Sequence, residues 1–89
     1  MVFYVLKSES HPNWFYKGST NDLNRRLGQH NNGEVQSTKH YRPLKIVYFE
    51  AYRSKRIAMD REYSVKKSGS VWMPLMKRIK RSLEYWSKA

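Results

Sequence analysis

Cysteine is absent from this 89-residue chain, which excludes disulfides, thiolate zinc sites and a cysteine nucleophile. The three histidines, His11, His30 and His40, lack metal-ligand spacing, so any bound metal would be a hard cation held by oxygens. Long apolar runs are also missing: no stretch approaches the roughly 20 residues that span a bilayer. Val2 to Leu6 is too short for a signal peptide and lacks the preceding basic residues. The expectation is a cytoplasmic protein with no membrane partner. Acidic residues are few, seven against eighteen Lys and Arg, leaving a formal charge of +11. That charge disfavours self-association and draws the chain to polyanions, nucleic acid first. There is no internal repeat, low-complexity tract or linker, so residues 1–89 read as a single domain.

Aromatic residues are plentiful, with seven Tyr, three Trp and three Phe, and must supply much of a small core. Val2–Lys7 and Asn13–Lys17 read as strands joined through Ser-Glu-Ser-His-Pro. A hairpin symmetric about Ser10 sets Tyr4 opposite Tyr16, Leu6 opposite Trp14 and Val2 opposite Gly18. After Gly18, Ser19, Thr20 and Asn21 can cap a helix that starts near Asn21 and stops at Asn31-Asn32-Gly33. Leu44–Ala51 is apolar on both faces and reads as a central strand. A second helix, capped by Ser54, runs to about Lys67, and a basic amphipathic helix starts near Pro74 with Leu75, Met76, Ile79, Leu83 and Trp86 on its apolar side. The order β-β-α-β-α-α predicts an α+β fold, a small, mainly antiparallel three-stranded sheet flanked by helices.

Several residues bear chemistry. Asp22, Arg26 and His30 form one row of the first helix. Arg26 and His30, beside a strand end carrying Tyr16, can hold a phosphate and manage a proton; the plainer reading is a surface Asp22–Arg26 pair with a solvated histidine. Glu62 shares a stripe with Ile57, Ala58, Arg61 and Val65, at the edge of the inward face, and so needs a partner: Arg26, Arg61 or a lysine of its own helix, or else a metal ion. Lys39, His40, Tyr41 and Arg42 mix cations with a ring, a set that holds phosphates and stacks a base. Lys77 and Arg78 lie on the basic side of the last helix. Lys17, Lys66 and Lys67 complete the candidate phosphate contacts.

These pieces resemble the GIY-YIG nuclease family, in particular its small single-domain bacterial branch and the nuclease domain of a bacterial excision-repair subunit. Phe3-Tyr4-Val5-Leu6 resembles the first tyrosine motif and Tyr16-Lys17-Gly18 the second. Gly18-Ser-Thr-Asn-Asp-Leu-Asn-Arg-Arg-Leu27 is similar to the strand-to-helix passage and puts Arg26 at the catalytic arginine. His30 falls where many members have His or Tyr. Arg42–Tyr48 looks like the strand of the small branch, and Ala58-Met-Asp-Arg-Glu62 with Lys66-Lys67 its glutamate helix. The resemblance covers about Val2 to Arg81. It departs at Val2 and Lys17, which replace a glycine and an isoleucine, and no asparagine follows Asn32 to match one that many members carry late.

The resemblance implies a metal-dependent endonuclease that hydrolyses DNA, RNA not being excluded, in DNA repair or recombination. Magnesium, or manganese, would sit on Glu62, since seven dispersed carboxylates suit one metal better than two. Arg26 would pair with phosphate oxygens, Tyr4 act as general base, and Tyr16 and His30 orient the water or share the proton. Lys17 and Arg26 would have to favour the phenolate of Tyr4. Specificity would come from a protein partner. The alternatives are a non-catalytic basic nucleic-acid-binding module and a small basic component of a ribonucleoprotein.

Overall fold

The computed structural model describes residues 1–88, with side chains as far as Tyr85; Trp86, placed in the sequence on the apolar side of the last helix, has its side chain outside the described residues. Three strands, β1 (Val2–Ser8), β2 (Phe15–Thr20) and β3 (Leu44–Ala51), and three helices, α1 (Leu23–Asn31), α2 (Lys55–Lys67) and α3 (Gly69–Lys88), follow one another in the order β-β-α-β-α-α. The sheet is antiparallel, in the order β2-β1-β3, so the fold is α+β as expected. Among the described residues no helix is long and apolar enough to cross a membrane.

The central strand is β1, and not Leu44–Ala51 as the sequence suggested. Phe3, Tyr4, Val5 and Leu6 are all essentially inaccessible. The edge strand β3 is apolar on both sides because each side of the sheet is covered: Ile46 packs with Tyr4 and Leu6 beneath α1, while Val47 and Tyr48 join Phe3, Val5, Val65, Leu75 and Ile79 beneath α2 and α3. A bulge opposite Val5 and Leu6 turns the neighbouring Val47 and Tyr48 to the same layer. Each fully buried aliphatic or aromatic side chain of this kind contributes about 1.5–3 kcal/mol.

The hairpin register also differs. Tyr4 lies opposite Gly18, Leu6 opposite Tyr16 and Val2 opposite Thr20. Trp14 is still in the turn, where its carbonyl accepts the Ser8 N–H at 3.1 Å, so pairing starts at Phe15 and slides by two residues. A slide of two preserves every side chain's face, and the tyrosines remain diagonal neighbours, ring centroids 6.4 Å apart.

Helix boundaries follow local hydrogen bonding. Asp22, rather than Ser19, Thr20 or Asn21, caps α1, its Oδ1 accepting the Arg25 N–H at 3.1 Å. Ser54 caps α2 as expected. In α2 Ala58 and Val65 are buried, but Ile57 is half exposed, which corrects its place in the inward stripe. α3 begins five residues before Pro74: the Ser68 carbonyl accepts from Val71 and Trp72, both of which pack on the core. Pro74 there forfeits one helical bond without ending the helix. At the far end of α1, the Asn31 side chain pairs like a strand residue, its Nδ2 donating to the Leu44 carbonyl (2.9 Å) and its Oδ1 accepting the Leu44 N–H (2.8 Å). That bond pair ties the helix to the first rung of β3.

Candidate active site

Four of the five residues singled out as catalytic meet between β1, β2 and α1. Tyr4 crosses over Gly18, whose missing side chain is a packing requirement: a Cβ there would lie 2.6 Å from Tyr4 Oη. The phenol thereby reaches α1, where Tyr4 Oη and His30 Nε2 are 2.9 Å apart. Tyr16 packs edge-on against His30 with centroids 5.0 Å apart. Arg26 lies close enough for its hydrogen bond and charge to act on Tyr4, while its Nη1 donates to Gln29 Oε1 at 2.9 Å. The surface pair with Asp22 is not formed, since Asp22 is used as the helix cap. Arg25, Arg26, Gln29, Ser19 and Asn21 line a polar recess of about 260 Å³ beside the cluster.

His30 is fully buried, not solvated, and both ring nitrogens have partners. Thr38 Oγ1 lies 2.8 Å from His30 Nδ1 and 3.3 Å from the Val35 carbonyl, a pair of contacts that is satisfied together when Nδ1 donates to Thr38. A neutral ring protonated at Nδ1 has a bare Nε2, which accepts the Tyr4 O–H. Burial, reinforced by the Arg26 charge, pushes the His30 pKa down to about 4 and keeps the ring neutral. Tyr4 shows the opposite shift. Burial pushes its phenol up to about 12, against the lowering effect of Arg26. The expected help from Lys17 is not realised: Lys17 projects from the other side of β2, its Nζ 4.1 Å from the centre of the Trp72 ring, and burial lowers its own pKa. The resting site is therefore a neutral phenol–imidazole pair.

Glu62 reaches the cluster from α2, at the β2 edge. Ser19 Oγ donates to its Oε1 at 2.5 Å and Lys66 Nζ to its Oε2 at 2.7 Å. Of the partners the sequence allowed, the lysine of its own helix is the one used. Lys66 also lies 5.7 Å from the centre of the Tyr16 ring, and the Glu62 charge acts on Tyr4, so the carboxylate belongs to the same electrostatic site. Among the described residues no three His, Asp or Glu converge as metal ligands. A lone carboxylate suits magnesium nonetheless, because that ion keeps several waters and takes one or two carboxylates together with phosphate oxygens. Among the described residues, Lys66 is the cation that would have to give way at Oε2.

The remaining basic candidates are dispersed. Lys39 and His40 stand exposed on a short 3₁₀ turn, and Arg42 Nε donates back to the Lys39 carbonyl. Lys67 lies over Tyr63. Lys77 and Arg78 are exposed on α3, where Arg78 lines a recess with Arg61 and Val71. Sequence reasoning missed Thr38, eight residues beyond His30 across a turn, for which no spacing signal exists, and took Ser19 for a cap when it is the donor to Glu62.

The GIY-YIG catalytic domain matches residues 1–72. The chain is 42% identical over 66 residues to the UPF0213 protein YazA of Bacillus subtilis, which covers 73% of this chain and 65% of the relative. It is 43% identical over 65 residues to the UPF0213 protein CPE1444 of Clostridium perfringens, covering 72% and 68%. The chain thus spans about two thirds of the length of these curated relatives. No solved structure matches it significantly.

Proposed function

Because the chain belongs to the GIY-YIG catalytic domain family, a nuclease family, we propose that it is a metal-dependent endonuclease that hydrolyses DNA phosphodiester bonds. The observation that carries this reading is the 2.9 Å contact of Tyr4 Oη with His30 Nε2, beside Arg26. In this mechanism Tyr4 Oη takes a proton from the attacking water as its own proton passes to His30 Nε2. The water oxygen bonds to phosphorus and the bond to the leaving strand oxygen breaks. Arg26 supplies a planar fork to the non-bridging oxygens, where a bidentate pair is strongest. Tyr16 fixes the His30 ring from its edge. Thr38 keeps the Nδ1 proton in place, so that Nε2 stays the acceptor. Glu62, with Ser19 behind it, would hold magnesium or manganese, which when bound neutralises charge on the phosphate and its leaving oxygen. An arriving phosphate draws Lys66 away from Oε2 and favours the imidazolium form of His30, the change the buried resting ring resists. Repair or recombination is the setting that such cleavage suits, with a partner protein directing it.

The test is a panel of linear, nicked, flapped and branched DNA, and a matching RNA duplex, with and without magnesium, run on wild type and Glu62→Gln together. Magnesium-dependent cleavage by the wild type and its loss in Glu62→Gln are expected. Equal cleavage by the two proteins would show that the site is misplaced. Binding by both without any cleavage would instead identify a non-catalytic nucleic-acid-binding module.

A further inference from the structure

The catalytic tyrosines are the inner end of a longer row of rings. From Tyr16 the row continues to Trp14, centroids 6.3 Å apart and planes within 24°. Trp14 lies flat on Tyr41, 3.8 Å away with parallel planes, and His11 abuts Tyr41 edge-on at 5.0 Å. The outer end opens into a recess of about 410 Å³ lined by His11, Pro12, Asn13, Trp14 and Tyr41. Trp14 and Tyr41 pack on one side against the Tyr4, Leu6 and Leu44 cluster, whereas His11, Pro12 and Asn13, which complete the lining of the recess, are exposed and belong to neither apolar cluster. Lys39 and Arg42 are exposed next to Tyr41 in the chain.

We propose that the His11–Trp14–Tyr41 recess is a stacking site for an unpaired nucleobase of the substrate strand, a few nucleotides from the bond that is cut. The inference rests on the nuclease reading for the location of that bond and deepens it by naming the substrate class, DNA with a single-stranded segment. Three observations select this occupant. A flat aromatic surface binds any base through its π-face, and only a base outside a duplex offers that face. The +11 charge of the chain suits a phosphate backbone and repels a basic peptide. The row is continuous with the catalytic cluster, two ring-to-ring steps of 6.3 and 3.8 Å separating Tyr16 from Tyr41, a span of only a few nucleotides of a single strand. Flapped, frayed or branched DNA presents unpaired bases at that distance from a duplex end.

The experiment measures binding of fluorescein-labelled oligothymidine and of a blunt duplex of equal length by anisotropy in a chelating buffer, so that cleavage plays no part. For Trp14→Ala a loss of about tenfold is expected on oligothymidine, with duplex binding changed less than twofold, and Trp14→Phe should recover most of the loss. His11→Ala, at an exposed position, should weaken oligothymidine binding severalfold without lowering Tm, and serves as the readout should Trp14→Ala be poorly folded. Unchanged oligothymidine binding in His11→Ala and Trp14→Ala, or equal losses on both DNAs, would overturn the proposal. The two readings fail separately: cleavage without a Trp14 effect removes the stacking site alone, and a Trp14 effect without cleavage removes the nuclease alone.

Discussion

Two half-buried-to-buried tyrosines on opposite sides of the sheet, Tyr4 and Tyr48, both have phenols pushed up to about 12, burial being the largest cause in each. Their surroundings differ. Tyr48 and Tyr52 donate to the Glu50 carboxylate, which Arg61 clasps through Nε (2.9 Å) and Nη2 (3.1 Å). The Arg61 and tyrosine hydrogen bonds hold Glu50 below the usual carboxylate range, overcoming the rise that burial alone would cause. Every proton in that network is already where the charges want it, so Tyr48 is fixed as a donor. Tyr4 donates instead to a neutral nitrogen, with a cation at its side and no carboxylate bonded to it. A raised pKa therefore does not distinguish a working phenol from a structural one; the nature of the acceptor does.

The comparison breaks most clearly at the two hydroxyls. Tyr4→Phe should lower the rate of DNA cleavage by about 10²–10³-fold, the scale of one essential polar group in an active site, and Tyr48→Phe should leave it within twofold, both read from single-turnover rates. Comparable losses in the two variants would erase the distinction.

Acid stability sharpens it. His30 has a folded pKa of about 4 against an ordinary 6.5, so the unfolded chain takes up the proton first and stability falls as pH drops from about 6.5 towards 4. With roughly 1.4 kcal/mol for each unit of difference, that loss approaches about 3 kcal/mol at pH 4. Glu50 has a lowered pKa and contributes stability that is present above its ordinary 4.5 and lost only as pH falls through its folded value. Urea unfolding against pH should accordingly show a decline between pH 6.5 and 4 that His30→Gln flattens and Glu50→Gln does not.

The smallest effect concerns the floor beneath Tyr4. Gly18→Ala places a methyl group where the phenol lies, so the ring must move off His30, and cleavage should drop about tenfold while magnesium-independent DNA binding stays constant. Tyr48 has no such dependence, and its hydrogen-bond partner would be unaffected.

Much of this was visible in the chain. Tyr4, Tyr16, Arg26 and His30 come together because a strand, a glycine and a capped helix follow one another, all local signals, and the need of Glu62 for a partner followed from its place on an amphipathic helix. What escaped was set by distance or by symmetry. A register error of two residues leaves the alternation of faces intact, so the pattern of apolar residues cannot detect it, and the turn at Trp14 decides the matter. Strand order was misjudged because β3 is covered on both sides and reads as a centre strand although it is an edge. Thr38 and the Glu50–Arg61 clasp join residues from separate elements, and neither spacing nor composition marks such meetings.

The Asn31 amide that pairs with Leu44 has one more consequence. An edge strand with free N–H and C=O groups invites another chain to add to the sheet, the first step towards aggregation. At this end of β3 those groups are already taken by a side chain anchored in a helix, so a neighbouring molecule meets no open rung there from which to propagate. Replacing Asn31 would uncover that rung, and self-association would then be opposed chiefly by the positive charge of the chain.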